Sequence, residues 1–278
     1  NNFGYQTKFL YDCAGIVKAQ ETHVCVINLD DPITTVSSGS PQGCPAGQHF
    51  DQTTQTCVPD LPPPPQGTFV PFNFEAAGDW NCNSNSKKTV QSMLSKDPEI
   101  VLGLGDYSYT STADCWLDVI TPLNDKMKIT IGNHDSDEEE GPEITEQFLD
   151  HFNLDKQYYS FIHGNTLFIS MSTQVSFSEN SEQFNFVKSE LEKAAKDNRI
   201  LWKVVYFHKP AYAAPSKHEG LASLRDTYHP LFDQYKVDLV LSGHNHNYQR
   251  TFPIHFNPDD SSKPIIVNTD QNTYNNIG

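Results

Sequence analysis

Five apolar runs of strand length in this chain stop at residues able to bind a metal ion. Phe69–Ala77 stops at Gly78-Asp79, and Ile100–Leu104 runs into Gly105-Asp106-Tyr107-Ser108-Tyr109. Lys128–Ile131 is followed by Gly132-Asn133-His134-Asp135. Leu201–Phe207 meets His208-Lys209-Pro210, and Val237–Leu241 meets Ser242-Gly243-His244-Asn245-His246. The resulting set is Asp79, Asp106, Tyr109, Asn133, His208, His244 and His246, hard oxygen donors mixed with imidazoles and no cysteine. Such a set suits zinc, manganese or iron better than calcium or a structural zinc. Seven ligands exceed one tetrahedral ion and fit two ions sharing a bridging carboxylate, an arrangement that clamps in-line displacement at phosphorus. A lone Gly-Asp is ordinarily a turn, and a lone Gly-Asn-His a loop. Their repetition after five separate apolar strands is what gives the pattern its force.

The elements that must position these residues are legible around them. An apolar run ending in Gly-Asp is how a buried parallel strand delivers a carboxylate to the rim of a sheet, where open α/β sheets place their ligands. Ser84–Lys96 and Glu182–Lys196 have amphipathic helical periodicity, Ile144–Phe152 reads as a short helix and Leu221–Tyr235 as helical. Tyr158–Ile162 and Thr166–Met171 flank His163-Gly164-Asn165, a hairpin turn with residues suited to positive φ. Strands alternating with helices predict an α/β layered domain. Asp137–Glu140 reads as a solvated acidic loop. Ile265–Val267 begins a further strand, and the polar residues after it suggest that a last strand is missing.

Composition narrows the setting. The chain has 278 residues and a net charge of −16, a field that repels nucleic acid and anionic membranes. No run approaches the roughly 20 apolar residues that span a bilayer. The six cysteines include no CxxC pair, which favours disulfides over zinc. Cys44–Cys57 would close a polar loop, Cys13–Cys25 would pair beside it, and Cys82–Cys115 would join two rim loops. The expected organisation is a Cys-rich segment at 1–60, a polyproline linker at 61–67 and a catalytic domain at 68–278. Disulfides imply an oxidising setting, hence a secreted, extracellular or cell-surface protein. Cys44–Val58 resembles the small disulfide loops of chitin-binding modules, which implies a glycan or surface contact; a stapled spacer is the alternative.

The ordered set Gly-Asp79, Gly-Asp106-x-x-Tyr109, Gly-Asn133-His134-Asp135, Val205-Tyr206-Phe207-His208 and Gly-His244-x-His246 resembles the calcineurin-like metallophosphoesterases. Tyr109 points within them to the purple acid phosphatase branch. The resemblance covers about Phe69–Arg250 and implies a β-sandwich flanked by helices. It implies one ion on Asp79, Asp106, Tyr109 and His246, and a second on Asp106, Asn133, His208 and His244, bridged by Asp106. The first would be ferric and coloured by tyrosinate, the second Fe, Zn or Mn. A colourless Mn/Mn or Zn/Zn pair is the alternative if Tyr109 stands back. The first motif departs from the branch, with Asp79-Trp80-Asn81 where Asp-x-Gly is usual, so Asn81 becomes a candidate ligand or substrate contact.

The implied reaction is attack of a metal-bridging hydroxide on a small phosphomonoester. His134, next to ligand Asn133, should face the leaving group as donor or general acid. Asp135 would orient it, or would merely cap a turn. His218 stands where the family places a second histidine after the His-x-Pro strand end, and is the candidate leaving-group acid. Lys217 would bind a phosphate oxygen. Two other readings stay open: a phosphodiesterase acting on nucleotides or lipid headgroups, and a degenerate surface protein that binds glycan.

Overall fold

The computed structural model describes residues 71–141 and 143–269, together with short strand segments within 5–7, 10–12, 25–29, 48–51, 56–59 and 274–276. The bridges expected for Cys13–Cys25 and Cys44–Cys57, the 61–67 linker and the glycan-binding reading of 1–60 lie outside the described residues.

Two sheets form a sandwich. The first runs β1 (Leu10–Asp12), β2 (Cys25–Leu29), β3 (Phe72–Ala77), β4 (Ile100–Gly103) and β5 (Met127–Ile129) in that spatial order. The second contains β6 (Tyr159–His163), β7 (Thr166–Ser170), β8 (Trp202–Tyr206) and β9 (Leu239–Leu241), ordered β9-β8-β7-β6. Pairing is parallel across β3, β4 and β5, and again across β7, β8 and β9. β6 and β7 form the expected antiparallel hairpin, with Gly164 at φ +55° in its turn.

Side-chain alternation explains the layers. Phe72, Phe74, Leu102, Phe168, Val204 and Tyr206 meet between the sheets. On the outer face of the first sheet, Val101 and Ile129 pack with Val90 and Met93 of α1 (Ser84–Lys96) and Trp116 of α2 (Asp114–Ile120). Phe148 of α4 (Ile144–His151) joins them, after the short α3 (Asp137–Glu140). On the outer face of the second sheet, Ile169 and Val205 pack with Val187 and Leu191 of α5 (Glu182–Ala194) and Tyr228 of α6 (Ala222–Tyr235). Central strands buried on both faces read as continuous apolar runs, which is why they stood out in the sequence.

Helix α1 falls where its periodicity placed it. Asn83 caps it by accepting from the N–H of Asn85 and Ser86, and Asp97 closes it with φ 48°. The acidic run 137–140 is a correction. It is a helical turn rather than a solvated loop, with the Glu139 and Glu140 N–H groups donating to the Ser136 carbonyl. Acidic side chains suit the first turn of a helix because its N–H groups carry partial positive charge.

Register brings the chemistry to one edge. Ala77 pairs with Gly103, and Gly103 with Ile129, so the loops after β3, β4 and β5 leave side by side. Ser170, Tyr206 and Leu241 are aligned in the same way in the second sheet. The Cys82–Cys115 disulfide forms as expected, with Cα atoms 5.7 Å apart, and ties the loop after β3 to the start of α2.

Candidate metal centre

The rim loops turn sharply to point their side chains inward. Asp79, Asp106, Tyr109 and His244 all have positive φ, at 56°, 57°, 55° and 74°. Non-glycine residues rarely adopt this region, and they persist there only where the surroundings enforce it. Asp135 is one enforcer. Its buried carboxylate accepts from the N–H of Asp106 (2.7 Å), Tyr107 (2.8 Å) and Gly132 (2.8 Å). These bonds splice the β4 loop to the β5 loop. The approach is so close that a Cβ on Gly132 would collide with the backbone nitrogen and Oδ1 of Asp106.

The seven expected ligands converge in two groups that share Asp106. In one group, Nε2 of His208 lies 3.2 Å from Asp106 Oδ2, from Asn133 Oδ1 and from His244 Nδ1. In the other, Tyr109 Oη lies 3.4 Å from Asp106 Oδ2 and 3.2 Å from His246 Nε2, and His246 Nε2 is 3.5 Å from Asp79 Oδ1. Asp106, His208 and His244 each bring a ligand atom within 4.8 Å of the others.

Hydrogen bonds beside the cluster aim these donors. His208 Nδ1 faces the Leu104 carbonyl at 2.8 Å, which assigns its hydrogen there and turns Nε2 to the cluster. The His244 N–H donates to both oxygens of Asp79, at 3.1 and 2.9 Å. The His134 N–H donates to Asp106 Oδ1 at 2.9 Å. The Leu104 carbonyl leaves no mark in a sequence, since every residue has one.

The donor set fits a cation. With Nδ1 bound to Leu104, a neutral His208 directs its Nε2 lone pair at the lone pairs of Asp106, Asn133 and His244. Such an arrangement is stable only with positive charge at its centre. Without a cation, the crowded donors shift one another's proton affinities. Burial, reinforced by Asp106, pushes Asp79 up to about 7 against the pull of His208. Burial opposes charge on His208, but the hydrogen bond and charge of Asp106 outweigh it and hold its pKa above normal. Burial and then His208 push His244 down to about 3, keeping it neutral as a ligand must be. Burial and the charges of Asp106 and Asp79 raise Tyr109 well above the ordinary phenol range.

An open cavity of about 420 Å³ lies over the cluster, lined by His134, Glu139, Lys209, Lys217 and His218 together with the ligands Asp106, Tyr109, Asn133, His244 and His246. His218 stacks near His244, with ring centroids 4.1 Å apart. Asn245 fixes this loop from between two ligands: its Oδ1 accepts from the His218 N–H at 3.0 Å, and its Nδ2 donates to the His218 carbonyl at 3.0 Å. Lys209, Asn245, Glu139 and Glu140 were not singled out by the sequence, although two of them adjoin ligand histidines.

Two sequence-based expectations need correction. Asp135 does not orient His134, because its oxygens are occupied by the three backbone N–H groups described above. The His134 Nδ1 instead faces Glu140 Oε1 at 2.6 Å. Asn81 is exposed and does not line the cavity; its Oδ1 accepts from the adjacent Cys82 N–H at 2.5 Å, a local bond permitted by its φ of 63°.

Comparison with known proteins agrees with this geometry. Residues 74–248 match the family model described as calcineurin-like phosphoesterase. Purple acid phosphatase 22 of Arabidopsis thaliana is 28% identical, covering 73% of this chain and 50% of that protein. Purple acid phosphatase 1 of Ipomoea batatas is 30% identical, covering 68% and 45%. A purple acid phosphatase from yellow lupin (Lupinus luteus) seeds superposes with a TM-score of 0.56 at 18% identity, covering 84% of this chain and 45% of that one. The chain thus spans about half the length of the curated relatives it matches. Its fold, its ordered rim motifs and the match across residues 74–248 place it in the calcineurin-like phosphoesterase family, among relatives that are purple acid phosphatases.

Proposed function

We propose that this chain hydrolyses small phosphomonoesters with the help of two metal ions. The observation that carries the reading is the place of Asp106, whose one carboxylate faces His208 and Tyr109 and so joins the two ligand groups. Asp79, Tyr109 and His246 with Asp106 would hold one ion; Asn133, His208 and His244 with Asp106 would hold the other. When bound, the pair would acidify a shared water and neutralise charge on phosphoryl oxygens. The donor set accommodates iron with zinc, manganese or iron, or a matched pair of zinc or manganese.

The remaining groups suit an anionic ester. Lys209 and Lys217 bring positive charge to the cavity wall. His134 and His218 reach the same space as donors to the phosphoryl group or the leaving oxygen. Burial and Lys217 hold the His218 pKa below normal, so its imidazolium, populated on the acid side, gives up its proton readily. An acid at this place matters most for poor leaving groups. The expected result for His218→Gln is therefore about a 10²-fold loss of kcat/KM on an alkyl phosphate, with far less loss on p-nitrophenyl phosphate. Equal losses on both substrates would remove His218 from the proton-donor role.

A phosphodiesterase is the second reading. Glu139 lines the cavity, and its carboxylate disfavours the dianion of a monoester more than the monoanion of a diester. Hydrolysis of p-nitrophenyl phosphate and of bis(p-nitrophenyl) phosphate, with Fe, Zn and Mn each supplied, separates the two. The monoester is expected to be the better substrate by at least tenfold, on the order of the selectivity a lost polar contact confers. A preference for the diester would replace the first reading with the second. Secretion suits the Cys82–Cys115 bridge, since such bonds persist in oxidising compartments.

A further inference from the structure

The acidic turn α3 makes contacts that no family motif explains. Glu140 reaches back six residues to His134, with Oε1 2.6 Å from Nδ1. Its neighbour Glu139 accepts from Nδ2 of Asn133 at 3.4 Å, also six residues back, and stands 3.7 Å from His134 Nδ1. Two successive glutamates thus hold two successive residues of the β5 loop.

These are not the contacts of a mobile surface charge. The Glu140 side chain is only 19% exposed, against 47% for Glu139. The turn is fastened at its N-terminal end. Ser136 donates its hydroxyl to the Asn133 carbonyl at 2.7 Å, and Asp137 Oδ1 accepts from the Thr145 N–H at 3.1 Å. Thr145 also donates its hydroxyl to the Asp135 carbonyl at 2.9 Å. The His134 ring also packs on Tyr109, with centroids 4.4 Å apart and the planes tilted by 36°. The imidazole is therefore contacted by both a phenol ring and a carboxylate, and it lines the cavity.

We infer that Glu140 is a positioning residue for His134. It engages Nδ1 and so turns Nε2 to the substrate. A hydrogen bond to one ring nitrogen fixes which nitrogen is presented on the other side. The role sought at Asp135 belongs to Glu140, because Asp135 is spent on backbone N–H groups. Glu139 does related work for Asn133: occupying Nδ2 leaves Oδ1 facing His208 Nε2 at 3.2 Å. This inference rests on the phosphoesterase reading for its kinetic consequence, but its geometric content does not.

The test uses Glu140→Ala, Glu140→Asp, His134→Ala and the Glu140→Ala/His134→Ala double variant. On p-nitrophenyl phosphate, Glu140→Ala should lower kcat about 10–100-fold, the usual effect of losing a group that orients an active-site histidine. KM should change by less than about threefold, and metal content by elemental analysis should stay at the wild-type value, because no ligand is touched. Glu140→Asp should recover part of kcat. The double variant should be no slower than His134→Ala alone, as coupled residues are non-additive. Additive losses, or wild-type kcat in Glu140→Ala, would overturn the inference. If the wild-type protein hydrolyses neither ester, the phosphoesterase reading fails and the inference is still decided by proton NMR of ¹⁵N-histidine-labelled protein. A slowly exchanging His134 Nδ1–H that vanishes in Glu140→Ala supports it. A resonance unchanged in that variant refutes it.

Discussion

Asp106→Asn is expected to lower kcat/KM on p-nitrophenyl phosphate by on the order of 10³-fold or more, and to leave fewer metal ions per chain than in the wild type. A loss of several kcal/mol of charge stabilisation at phosphorus corresponds to that factor. The substitution separates chemistry from folding. Asparagine keeps an Oδ1 able to accept from the His134 N–H, the 2.9 Å bond that Asp106 makes now. It keeps the backbone N–H that donates to Asp135. What it removes is the negative charge that faces both His208 and Tyr109. Circular dichroism should therefore report a folded protein while elemental analysis reports the missing metal. Wild-type turnover, or unchanged metal content, would mean that the two donor groups do not share this carboxylate.

Glu75→Leu should raise the melting temperature at pH 8 by about 6–12 °C more than it does near pH 4.5. Glu75 lies in the middle of β3, fully buried, and neither carboxylate oxygen has a hydrogen-bond partner among the described residues. Burial pushes its pKa up to about 7 from an ordinary 4.5, with Lys96 pulling partly the other way. The folded protein therefore binds a proton here more tightly than the unfolded chain does. Ionisation costs nothing below pH 4.5, where both states are protonated, and the cost grows as pH rises to about 7. Its ceiling is about 3 kcal/mol from the size of the shift, and each kcal/mol moves the midpoint of a domain this large by about 2–4 °C. Leucine fills a similar volume and has nothing to ionise, whereas glutamine would leave buried amide atoms unpaired. Thermal melts of both proteins across pH 4.5–8 check this; a gap in Tm that stays constant with pH would show that Glu75 is not the titrating group.

The metal ligands were legible because each follows an apolar strand, most of them buried on both faces; His244 and His246 follow the edge strand β9, which is apolar although Val240 is exposed. β4 and β8 have the doubly buried pattern and end at Asp106 and His208; parallel register aligns the strand ends within each sheet, and the packing of one sheet on the other brings the two sets together. The amphipathic α1 was equally plain, since its cap and its apolar stripe agree. Short helical turns were not legible. α2, with Trp116 buried beneath it, is too brief for periodicity to show, and α3 presents charges that local sequence cannot distinguish from a solvated loop. The partner of His134 was misplaced for a related reason. Asp135 adjoins it in sequence, but a 3₁₀ turn over Asn133–Asp135 sends the two side chains in different directions. Adjacency along the chain says little about where side chains go once the backbone leaves a regular strand.

Each ligand group draws on both sheets. Asp106 and Asn133 follow strands of one layer, and His208 and His244 follow strands of the other; Asp79 meets His246 across the same seam. An ion seated there would act as a rivet through two plates, adding to the oily interior and the few polar bonds that already join the halves. Stripping such rivets out would lower the temperature at which the plates part without unfolding them outright, so the supply of metal would bear on the thermal endurance of the molecule as well as on its chemistry.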